Sequence, residues 1–225
     1  RCDVGCKENE ERKKISLCFV SESIFMDRLN KKISLTEKVR DSLWIASAGA
    51  ICDEKDLVHF VNSASKMSSI LRGYTRKCVE INKLVFFGHG APGMFETGLD
   101  FTKDRTPFKG FSCLASKDVE LDIIGCNVGD KCSGKILMHK LAKDFLKKGG
   151  RITAPRFYAS TFLPGVIPHK SFSGTYQTLH YDPTSSNRYA WEVEGGLIGN
   201  RGDNLLDTCI KDIKEVIKDF DLVTK

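Results

Sequence analysis

No apolar run in this sequence approaches 18 residues, which excludes a membrane-spanning helix. No signal peptide is visible, and the sequence opens on Arg1 rather than Met, as a segment of a longer protein would. Zinc-finger, RNA-recognition and helix-turn-helix patterns are all missing. The 35 basic residues outnumber the 29 acidic ones, giving a net charge of +6, but the lysines are scattered over helical faces, so no nucleic-acid partner is expected. Cys2 with Cys6, and Cys126 with Cys132, lack both the two-residue spacing and the second pair that a zinc site needs, so no metal is expected. The nine cysteines show no dense extracellular disulfide framework. Cys18, Cys78 and Cys209 sit inside apolar runs, where a cysteine packs as a small hydrophobe. Internal repeats and domain boundaries are absent.

What is present suits one medium domain. The chain has 225 residues, 41% hydrophobic and 28% charged, enough to build a core and too apolar for wholesale disorder. Residues 1–14 form a polar tail, and 15–225 a single domain. Lys14–Val20 and Leu43–Gly49 are expected strands. Asp53–Arg72 has the three- and four-residue apolar spacing of a helix, with Asp53, Glu54 and Asp56 in its first turn. Ser133–Lys148 and Leu205–Phe220 are further expected helices, and Ile152–Ala159 a further strand. Met94–Phe101, centred on Gly98, suits a small hairpin. Gly174–His180 and Tyr189–Val193, separated by a turn-rich stretch, suit a larger antiparallel one. Strands alternating with helices predict an α/β fold with a mainly parallel central sheet flanked by helices and a C-terminal β-hairpin.

Two stretches organise this pattern: Lys83-Leu-Val-Phe-Phe-Gly-His-Gly90 and Glu120-Leu-Asp-Ile-Ile-Gly-Cys-Asn-Val-Gly129. Each is a short apolar run of the kind buried on both faces of a parallel sheet, and each ends in glycine. Each delivers one reactive side chain where it stops, His89 and Cys126. Parallel neighbours place their carboxyl ends at one edge, the edge where ligands bind. An imidazole beside a thiol is the arrangement of nucleophilic cysteine chemistry, in which the thiolate attacks and the histidine handles the proton. His59, His139, His169 and His180 have no such setting and are expected to be surface or structural.

An apolar strand ending in Gly-His-Gly, a hairpin, and a second apolar strand ending in Gly-Cys resemble the caspase-like (clan CD) cysteine peptidases, the clan of gingipains, separases and clostripain. Phe87-Gly-His-Gly-Ala-Pro-Gly93 and Ile124-Gly-Cys-Asn-Val-Gly129 are most similar to the autoprocessing cysteine protease domains of large bacterial toxins. They are equally similar to the related domain of large bacterial surface proteins, where "SHGxPG" and "YGCNV" recur. The later Gly174–Val193 segment with Trp191 resembles the hairpin that follows the catalytic strands in the toxin domains. The likeness covers roughly residues 40–195.

The resemblance implies a caspase-like sheet and a cysteine endopeptidase with a Cys126–His89 dyad. Its oxyanion hole would be formed by the backbone N–H groups of Gly90 and Cys126. Gly88 and Gly90 would leave room for a substrate carbonyl, Gly125 would permit the turn that lifts Cys126 out of its strand, and Asn127 would order the loop beyond. Asp53 is a candidate orienter of His89. A regulatory disulfide between Cys126 and Cys132 is conceivable. The substrate would be a polypeptide, the parent chain included, cut after a hydrophobic residue such as Leu. The setting would be a larger bacterial toxin or effector, secreted or delivered into a reducing host cytosol. No cofactor is required, though some toxin domains respond to inositol hexakisphosphate through a dense basic cluster. Here Lys170, Arg188, Arg201, Lys211, Lys214 and Lys218 are sparse and interleaved with acids. The alternative is a caspase-like interaction module without turnover.

Overall fold

The computed structural model describes residues 11–22, 52, 57–103, 106–156, 176–186 and 188–192, and the backbone of 193 and 196–198. The expected strand at 43–49, the expected helix at 205–220 and Asp53 lie outside the described residues.

Five parallel strands form the centre of the sheet: β1 (Lys13–Ser21), β2 (Leu57–Val61), β3 (Val79–Phe87), β7 (Ala115–Ile124) and β8 (Gly150–Pro155). They stand in the order β2-β1-β3-β7-β8, and β9 (Tyr176–Tyr181), β10 (Tyr189–Val193) and β11 (Gly196–Ile198) extend the β8 edge as an antiparallel meander. The parallel order reverses between β1 and β3, which makes the carboxyl edge there a topological switch point. A second, three-stranded sheet is built from β4 (Gly90–Ala91), β5 (Met94–Phe95) and β6 (Leu99–Asp100). The α/β class and the mainly parallel sheet are as the sequence implies. β1 begins at Lys13, inside the stretch taken as tail, and Arg12 Nη1 donates to the Cys113 carbonyl at 2.9 Å.

The central strands are apolar on both sides because both faces are covered. Leu17 and Phe19, Leu84 and Phe86, and Leu121 and Ile123 belong to one core; Cys18, Val20, Val85, Phe87 and Ile124 belong to another on the opposite face. Asn82 is an extra residue in β3: Ile15 faces Ile81, but Ser16 already faces Lys83. This bulge resets the alternation, so Ile81 and Leu84 share a face despite their odd separation. Helices α1 (Ala64–Tyr74) and α2 (Lys131–Phe145) pack on the larger core. Phe19, Phe86, Phe108 and Phe145 run through it as a chain of ring contacts, each 5.4 to 5.9 Å between centroids.

The expected helix at 53–72 is corrected. Leu57–Val61 is the edge strand β2, and the helix starts only at Ala64, after the Ser63 hydroxyl caps it by accepting the Lys66 N–H at 3.3 Å. Leu57, Phe60, Val61 and Ala64 mimic helical spacing, but Leu57 and Phe60 are exposed, at 43% and 49%, and only the Met67, Leu71, Tyr74 stripe is truly buried.

The cysteine expectations are also corrected. Cys18, in the middle of β1, is disulfide-bonded to Cys52, with Cα atoms 5.8 Å apart and a sequence separation of 34. Cys78, Cys113 and Cys132 are disulfide-bonded too, whereas Cys126 keeps its thiol. A Cys126–Cys132 bridge is thereby excluded. Cys18 and Cys78 are not free core hydrophobes, and Cys209 lies outside the described residues. Disulfides persist in oxidising compartments and are rare in reducing ones. Among the described residues, no helix is long and apolar enough to cross a membrane.

Candidate active site

β3 and β7 pair in parallel, with Leu84 opposite Leu121 and Phe87 opposite Ile124. One further bond, from the Gly88 N–H to the Ile124 carbonyl at 3.1 Å, closes the ladder. One strand then runs on by one residue to His89, and the other by two, through Gly125, to Cys126. The two side chains thus leave the sheet at the same edge, from adjacent strands, in matching register. His89 is exposed and Cys126 half-buried, so both are reachable from solvent.

The loops beyond are held close by glycines. A Cβ on Gly90 would lie 2.2 Å from Val128 Cγ2 and 3.1 Å from the Cys126 carbonyl oxygen; one on Gly125 would lie 3.0 Å from both the Gly88 carbonyl oxygen and the Phe95 ring. The position where a side chain on Gly90 would stand is therefore filled by the cysteine loop. Gly125 serves close approach. The left-handed residue of the turn is Asn127, at φ 55°, whose carbonyl accepts the Asp130 N–H at 2.9 Å. The amide of Asn127 has a buried oxygen, Oδ1, with no hydrogen-bond partner. The two loops are tied directly, Gly93 N–H to Val128 carbonyl at 2.9 Å, and the cysteine loop is tied to β8 by Gly129 N–H to Pro155 carbonyl at 2.8 Å. The Gln177 side-chain amide donates to the Gly129 carbonyl.

The hairpin carrying His89 holds a residue that the sequence pattern did not single out. The Glu96 carboxylate accepts the His89 backbone N–H at 2.7 Å, and the Glu96 N–H donates to the His89 carbonyl at 3.2 Å. Next along the ladder, Gly90 faces Phe95. Bonded and non-bonded pairs alternate in an antiparallel ladder, so Gly90 falls at a non-bonded position, and its N–H is directed away from β5. Phe95, 2% exposed, plugs into the main core against Phe86 at 6.1 Å and anchors the hairpin.

The same edge carries positive charge. Arg156 follows β8, and Lys135 lies in the early part of α2; burial and then the Arg156 charge lower the Lys135 pKa. The other described histidines are engaged elsewhere: His59 with the Tyr74 hydroxyl at 2.9 Å, His139 with the Tyr189 ring at 4.5 Å, and His180 with Glu192 at 2.8 Å. Among the described residues, no group of three or more His, Cys, Asp or Glu is placed to hold a metal.

Of the six basic residues weighed for polyphosphate, only Arg188 is described. An open cleft of about 510 Å³ lies at the opposite, amino edge of the sheet, lined among others by Lys117, Asp118, Lys148, Arg151 and Asp182. Two of its cations are committed: Arg151 to Glu120 at 2.7 Å, and Lys148 to the Ala115 carbonyl at 2.8 Å. No family model matches the chain, and neither does any curated protein or solved structure.

Proposed function

We propose that this chain is a cysteine endopeptidase of caspase-like architecture, with Cys126 as nucleophile and His89 as its acid–base partner. The observation that carries the proposal is the register of β3 and β7, which ends two adjacent parallel strands in a histidine and a thiol. In this reading the Cys126 thiolate attacks the scissile carbonyl carbon, and the N–H groups of Gly90 and Cys126 receive the negative oxygen. His89, holding the thiol's proton, gives it to the leaving amine as the C–N bond breaks. Water, deprotonated by His89, then hydrolyses the thioester. The substrate is a polypeptide, its own parent chain included, with a hydrophobic residue such as Leu before the cut.

The test is the intact mass of the chain expressed with flanking sequence, beside peptide hydrolysis with Leu at the cut. Cys126→Ala and His89→Ala should each abolish cleavage to a similar degree, because nucleophile and base act as one unit. Iodoacetamide in substoichiometric amount should label Cys126 before any other sulfur. Wild-type cleavage by Cys126→Ala would end the proposal. An intact, unlabelled and inactive wild type would favour the non-catalytic module instead.

A further inference from the structure

We propose that Glu96 is a positioning residue for His89, an inference that rests on the dyad reading above. Both main-chain polar groups of His89 bond to this one residue, the N–H to the carboxylate at 2.7 Å and the carbonyl to the Glu96 N–H at 3.2 Å. In a regular antiparallel pair the His89 N–H would go to the facing carbonyl. Here a side chain takes that place, and an ionised acceptor makes the bond a charge-assisted one. Gly88 completes the device. A Cβ on Gly88 would stand 2.7 Å from Glu96 Oε1 and 2.9 Å from the Phe95 ring, so only glycine admits the carboxylate at this point.

The mechanical consequence follows from where His89 sits. It is exposed and one residue beyond the last bond of the β3–β7 ladder, so the sheet does not fix its backbone. Phe95 is locked in the core, and Glu96 is its neighbour in sequence. The clamp therefore transmits the rigidity of the core to the histidine backbone. Glu96 acts through His89 in this role.

The experiment compares wild type, His89→Ala, Glu96→Ala, Glu96→Gln and Glu96→Asp in the full chain. It measures kcat and KM on the Leu peptide, the pseudo-first-order rate of Cys126 alkylation by iodoacetamide, and melting temperature. Glu96→Ala should lower kcat and alkylation about 10- to 100-fold with KM nearly unchanged, since small misplacements of a catalytic group carry losses of that order. Gln keeps the length and an acceptor oxygen, so Glu96→Gln should recover most of the loss. Asp keeps the charge but is one methylene short, so Glu96→Asp should stay near Ala. Unchanged kcat in Glu96→Ala would overturn the proposal. So would a Gln variant as slow as Ala, which would make charge rather than the bond responsible, or a kcat loss that tracks melting temperature across all three variants. If Glu96→Ala does not fold, the contrast of Gln against Asp decides alone. If His89→Ala alkylates as fast as wild type, the dyad reading itself fails and Glu96 has nothing to position. If His89→Ala is slow and Glu96→Ala is fast, only the present inference falls.

Discussion

Gly90 has no room for a side chain, and that constraint is directly testable. Its neighbour Val128 is fully buried and lies in the loop that presents Cys126. Gly90→Ala should force the two loops apart at a cost of about 1–3 kcal/mol, the usual range for overpacking. Activity should fall further than stability, and Val128→Ala should restore part of both; chemical denaturation and peptide turnover of the two single variants and the double check this. His59 allows a pH prediction. Burial, then the Lys77 charge, lowers its pKa below the ordinary 6.5. The unfolded chain therefore takes up the proton first as pH falls. The stability owed to neutral His59 is whole above that ordinary value and is lost as pH drops through the lower folded one. Melting temperature should decline on acidification through that window. His59→Gln, which stays neutral and can still reach the Tyr74 hydroxyl, should decline less; equal slopes would refute the assignment.

At the scale of elements, the hairpin after His89 couples the site to the core, and Phe95 is its anchor. Phe95→Ala should destabilise by about 3–5 kcal/mol as a buried aromatic truncation. It should also slow Cys126 alkylation in the fraction that remains folded, because the Glu96 clamp loses its footing; a stability loss with an unchanged alkylation rate would separate hairpin from site. Much of this layer was legible from residues. The apolar run Leu84–Phe87 and the mostly apolar Leu121–Ile124, broken only by Asp122, announced buried parallel strands, and the 189–193 hairpin arm was marked by its turn residues. What stayed hidden has physical causes. Leu57–Val61 reads as helix in sequence because an edge strand buries only part of one face, leaving no clean alternation. Asn82 looks like any strand residue, yet it decides which face the rest of β3 presents. Glu96 was invisible because its partner is a backbone N–H seven residues back, brought near only when the hairpin closes. Asn127, not Gly125, takes the left-handed turn, and sequence alone could not say which of two permissive residues would.

The whole molecule carries two redox requirements of opposite sign. Cys126 must be reduced to act as a nucleophile, while Cys18–Cys52 must stay oxidised to staple central strand β1. No spacing rule reveals that staple, because the fold alone brings its two ends together across 34 residues. By loop-closure reasoning such a crosslink contributes about 3–4 kcal/mol, a large share of an ordinary domain's stability. Cys78, Cys113 and Cys132, also disulfide-bonded, add to the same dependence. Activity should therefore peak at an intermediate redox poise. Mild monothiol should raise it by freeing Cys126 from any mixed disulfide, and strong dithiol should lower it as the staple opens and melting temperature falls. Turnover and melting temperature followed together along a glutathione series, then with excess dithiothreitol, check the prediction. The double variant Cys18→Ala, Cys52→Ala should start with a lower melting temperature and lose less of it to dithiothreitol than wild type. Activity that climbs steadily into strong reductant, with melting temperature unchanged, would show that the staple does not hold the fold.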